Sequence, residues 1–133
     1  MILLPFLLQA AALPDFNSFH ERDVVPVSIR GAWDESAKAC KEEHSVTRVH
    51  IGADWIGFYE SGGALQISTP AGIPDFEQST AFRFVMAGEG STWDLELVFG
   101  WNGARPQTLT WIDSKTEENM ESGRQRSTWV RCL

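Results

Sequence analysis

Residues 29–40 read IRGAWDESAKAC, and the rest of the chain closes back onto this stretch. Gly31-x-Trp33 follows an alternating run in which Val25, Val27 and Ile29 exchange with Pro26, Ser28 and Arg30. That is strand chemistry, with Pro26 marking an edge or a bend. Gly31 allows backbones to approach closely, and Trp33 supplies a large apolar anchor. After it, Asp34–Glu43 is the one helical piece. Trp33, Ala37 and Cys40 share its inner face at i, i+4 and i+7, with Asp34 as the expected N-cap.

Working outward, the pattern becomes strand upon strand. Val46–Ile51, Trp55–Glu60, Ala64–Thr69, Thr80–Ala87, Thr92–Phe99, Gln107–Asp113 and Ser127–Cys132 each alternate or run apolar, as half-buried strands do. Thr92–Phe99 is the cleanest, with Trp93, Leu95, Leu97 and Phe99 set against Asp94, Glu96 and Val98. Leu65 and Ile67 are expected to point inward. Turn signals fall between the strands at Gly52-Ala53-Asp54, Ser61-Gly62-Gly63, Gly88-Glu89-Gly90 and Asn102-Gly103. The polar segment Ser114–Gln125 reads as a long exposed loop. About eight short strands at this spacing predict an all-β fold, a small antiparallel up-and-down barrel with one short helix after the first strand.

A chain of 133 residues is one domain by length. Its first twelve residues, MILLPFLLQAAA, form an uncharged apolar run shorter than the roughly 20 residues a membrane span needs. The run ends in Ala10-x-Ala12, the small-x-small pattern of signal-peptide cleavage. Residues 1–12 are therefore expected to be a cleaved signal and 13–133 the mature domain. The chain is expected to be periplasmic or secreted, with no stable membrane insertion after cleavage. A buried N-terminal strand or helix is the competing reading.

The net charge of −7 disfavours nucleic acid and anionic membranes as partners. Cys40 and Cys132 are the only two cysteines. In an exported chain they read as one disulfide rather than a metal site, and in a cytoplasmic one as two buried thiols. A loop of that length stabilises by about 4–5 kcal/mol in the chain-entropy account.

Gly31-x-Trp33 on the first strand, with Arg131 on the last, resembles the lipocalin and fatty-acid-binding-protein superfamily. The resemblance implies a lipocalin-like barrel in which the Trp closes one end and the basic residue packs over it. Such a cation–π contact is worth about 0.5–2 kcal/mol. A second resemblance covers most of the mature chain: IRGAW, Cys40, IGADWIGFYES (Ile51–Ser61), GEGSTW (Gly88–Trp93) and Arg131-Cys132. It points to an uncharacterised family of small exported bacterial β proteins, and brings no activity or catalytic residues with it.

Six Trp, eight Phe and one Tyr make either an aromatic-lined ligand cavity or a packed interior. Trp55 and Tyr59 are the pocket candidates, and Trp101 is placed at a barrel mouth. Asp94 and Glu96 share a strand face about 7 Å apart, near the spacing of an inverting glycosidase pair but also the ordinary solvent side of such a strand. Glu89, between two glycines, is a loop-tip carboxylate with Arg83 as its expected partner. His20, His44 and His50 lack metal spacing. No Gly-x-Ser-x-Gly elbow and no phosphate-cradling glycine loop is present, so no cofactor is expected.

These readings combine into a non-catalytic exported protein that binds a small apolar ligand or an envelope protein. The alternatives are an inhibitor of an envelope hydrolase and a small hydrolase using Glu89 and Arg83. Intact-mass measurement on protein from its native host should show loss of residues 1–12 and of two hydrogens. A full-length, reduced mass would overturn both the export and the disulfide expectations.

Overall fold

The computed structural model describes residues 24–114 and 126–133. The expected signal segment and all but Ser114 of the expected long loop Ser114–Gln125 lie outside them. Eight strands, β1 (Gly31–Asp34), β2 (Val49–Ile51), β3 (Trp55–Gly57), β4 (Gly62–Pro70), β5 (Gln78–Gly88), β6 (Ser91–Trp101), β7 (Thr108–Asp113) and β8 (Ser127–Arg131), follow one another in order around a closed barrel. Every pairing is antiparallel, including that of β1 with β8 through Trp33↔Arg131 and Asp34↔Val130. The all-β barrel read from the alternation is the fold observed.

The interior is filled. Phe82, Phe84 and Met86 of β5 meet Leu97, Phe99 and Trp101 of β6, with Trp33, Ile56 and Leu109 closing the far side. Each such side chain contributes about 1.5–3 kcal/mol on burial. Trp101, expected at a mouth, is only 2% exposed and belongs to this core. Its parity continues that of Leu97 and Phe99, so the alternation carries it inside.

The first expected strand lies further along the chain. Val27–Ile29 is a 3-10 turn, and β1 begins at Gly31. Pro26 adopts an extended ψ of 143°, and beyond it the chain coils so that Val25 and Ile29, four apart, are both fully buried while Val27 is 74% exposed. A period near four replaces the expected period of two, and the two side chains plug one barrel end. The helix α1 is also shorter than expected, Ala37–Cys40, with Ser36 rather than Asp34 as its cap: Ser36 Oγ accepts from Ala39 N at 3.0 Å. Its inner residue is Ala39; Ala37 is exposed.

Ile67 departs from its expected inward position. The β4–β5 register shifts between Leu65↔Phe84 and Ile67↔Arg83, and this bulge turns Ile67 outward, leaving it 45% exposed. The β3–β4 turn is Phe58–Ser61, closed by Phe58 N to Ser61 O at 2.7 Å. Gly62 and Gly63 therefore lie within β4.

Two contacts seal β1 to β8. The Arg131 guanidinium lies over Trp33, Cζ 4.4 Å from the ring centroid. It donates to the carbonyls of Ser28 (2.6 Å), Arg30 (3.0 Å) and Pro106 (2.9 Å). Gly31, at φ 125°, lets the backbone turn beneath it. Trp33 Nε1 donates to Ile29 O at 2.9 Å. Burial, with Arg105 nearby, lowers the pKa of Arg131, yet an arginine stays charged. The second contact is the Cys40–Cys132 disulfide, Cα–Cα 5.2 Å. No helix among the described residues is long and apolar enough to cross a membrane, and a disulfide is the chemistry of an oxidising compartment.

Cys40→Ser should lower unfolding stability by about 2–5 kcal/mol in chemical denaturation. Arg131→Lys, which keeps the charge but loses the planar fork, should cost about 2–3 kcal/mol. Unchanged midpoints in both variants would remove the seal as the fold's fastening.

Candidate functional site

In an up-and-down barrel the β1–β2, β3–β4, β5–β6 and β7–β8 connections share one end. Arg131, the 3-10 turn and the β6–β7 loop close the other. At the first end lies a cup of about 380 Å³. Its apolar wall is Val46, Val49, Phe58, Trp111 and Trp129, and its polar members are Glu35, Thr47, Ser127 and Thr128. Phe58 arrives there because it continues the inward parity of Ile56 past the end of β3. Trp111 and Trp129 are neighbours across β7–β8, with ring centroids 5.0 Å apart. Trp129 also stands 5.9 Å from Phe99, so the cup rests on the packed core rather than opening into it. Trp111 Nε1 is buried and meets no acceptor, at a desolvation cost of about 1–3 kcal/mol.

A buried polar knot supports the rim. Asp34 ends β1 with no exposure. Its Oδ1 accepts from Thr47 Oγ1 and from Glu35 N, and its Oδ2 faces Arg48 Nε at 3.4 Å. The other end of Arg48 donates to the carbonyls of Ala39 (2.8 Å), Cys40 (3.0 Å) and Glu42 (2.8 Å), satisfying acceptors that the short α1 leaves open. One arginine thus ties β1, α1 and the approach to β2 together and holds Val46 and Thr47 in the cup wall. Burial pushes the Asp34 carboxyl upward. The hydrogen bonds from Thr47, Ser45 and the Glu35 backbone, together with the Arg48 charge, outweigh that and leave its pKa below the ordinary aspartate value.

The residues singled out from sequence are dispersed. Trp55 and Tyr59 lie outside the barrel, 46% and 62% exposed. A closed barrel has one interior, so a strand that buries Ile56 must turn Trp55 out. The Trp55 indole lies across Gly52 and Gly57, and a Cβ on Gly52 would fall 2.0 Å from Nε1. Arg83 is on the outer wall and pairs with Glu96, its cross-strand neighbour, at 3.8 Å, not with Glu89. Glu89 occupies the β5–β6 turn at φ 50°, six residues beyond Arg83 and so roughly 20 Å along the strand. It shares an open cleft with Glu60, Ser61, Ser91 and Trp93. His44, His50 and Tyr59 border a separate outer hollow with Arg48. No group of three or more His, Cys, Asp or Glu among the described residues is placed to hold a metal ion.

Phe58, Trp111 and Trp129 were missed as site residues. Their aromaticity was plain, but which of them stand above the packed layer depends on strand lengths and on where β3 and β7 end. Compared with known protein families, curated proteins and solved structures, the chain has no significant match.

Asp34→Asn should cost about 3 kcal/mol at neutral pH by stranding Arg48. Because the folded carboxyl has the lower pKa, its contribution is complete above the unfolded value and fades as pH falls through the folded one. The stability gap between wild type and Asp34→Asn should therefore narrow below about pH 4; a gap constant across that range would overturn the assignment.

Proposed function

We propose that this chain is a non-catalytic binding protein that takes a small apolar ligand in the cup at the open end of its barrel. The observation that supports this most is the cup itself. Its volume of about 380 Å³ falls within the roughly 300–1,000 Å³ common for ligand sites, and aromatic walls with a few polar groups are their usual composition. A rigid packed core beneath it would pre-organise the walls, reducing the ordering cost of binding. The disulfide supports a working place outside the cytoplasm, in the periplasm or secreted medium, after removal of residues 1–12. The hydrolase alternative needs Arg83 and Glu89 together, whereas Arg83 pairs with Glu96 and Glu89 sits in the turn six residues further along the chain.

Native mass spectrometry of protein purified without denaturation should reveal a co-purified small molecule. Phe58→Ala should weaken retention about tenfold, from the apolar area lost, whereas Trp55→Ala on the outer wall should leave it unchanged. Equal losses in the two variants, or a loss confined to Trp55→Ala, would place binding elsewhere.

A further inference from the structure

We infer that the apolar ligand of this cup carries a cationic head, an alkylated ammonium rather than a fatty acid or other carboxylate; this rests on the cup being the binding site. Three aromatic side chains, Phe58, Trp111 and Trp129, and one carboxylate, Glu35, line the same 380 Å³ space. Aromatic faces attract a cation through their quadrupole, most strongly when the cation leaves water, and cages of this composition suit quaternary ammonium groups.

The charges around the cup point the same way. No Lys or Arg among the described residues lines it. Arg48, the guanidinium supplied by the adjoining connection, donates through Nη2 to three carbonyls and faces Asp34, and it is not part of the cup lining. Glu35, in contrast, uses its backbone N–H on Asp34, and its carboxylate has no ion pair among the described residues. A carboxylate on the lining of an aromatic cup repels a fatty-acid head and draws an ammonium. The net charge of −7 adds a long-range field of the same sign.

The test uses three soluble probes of similar size: choline, its neutral isostere dimethylbutanol, and hexanoate. Titrations of the full chain are followed by the indole N–H signals of Trp111 and Trp129 and by calorimetry. Choline should bind at least about tenfold more tightly than dimethylbutanol, and hexanoate more weakly than either. Added salt should weaken choline alone. Glu35→Gln, at an exposed position with no ion pair among the described residues, should reduce the choline advantage about three- to fivefold. Dimethylbutanol or hexanoate matching choline would overturn the cation assignment while leaving the cup as a binding site. Three probes that all fail to shift either indole signal at millimolar concentration would remove the cup reading as well.

Discussion

The seam between β1 and β8 is the constraint on which the remainder of the molecule depends. Eight strands that pair only with their sequence neighbours form an open ribbon with two exposed edges, and edges invite pairing with other chains. Here the edges meet each other. Arg131 is held by three carbonyls from two different segments and lies on Trp33, so the last strand is located by a rigid planar group rather than by ladder bonds alone. The Cys40–Cys132 bridge fastens the same seam covalently from the α1 side.

Closure also decides what the interior can offer. With Phe82, Phe84, Phe99 and Trp101 filling the middle, the barrel axis is closed to a ligand. One end is stoppered by Val25, Ile29 and Arg131. The other is shaped by the Asp34–Arg48 knot, which holds an irregular connection still enough to serve as a wall. Thr47 joins the two, bonded to Asp34 in the knot and standing in the cup wall.

Much of this was legible in the amino acids. Period-two alternation in Thr92–Phe99 and Thr80–Ala87 located the two longest strands, because these residues face one core and one solvent side without interruption. Gly31, Trp33, Arg131 and the cysteines pointed to the seam. Three features were not legible, each for a local physical reason. The bulge after Leu65 reverses parity by one residue, and nothing in Gln66-Ile67 announces it. The 3-10 turn at Val27–Ile29 carries apolar residues at spacings of both two and four, which leaves strand and helix equally supported. Trp55 and Tyr59 are pocket candidates because they lie opposite Ile56 and Phe58, and with Ile56 buried that face is the outer wall.

The disulfide has a bearing on time as well as on strength. Its cysteines are separated by 92 positions, and Trp33 meets its partner Arg131 only when β8 has arrived. The β4–β5–β6 meander, in contrast, pairs strands close in sequence. Loop-closure entropy makes the distant pairing the late event. Until β8 docks, the edges of β1 and β8 stay unpaired and Cys40 lacks its partner. The bridge can therefore form in its native pairing only once β8 has brought Cys132 beside α1.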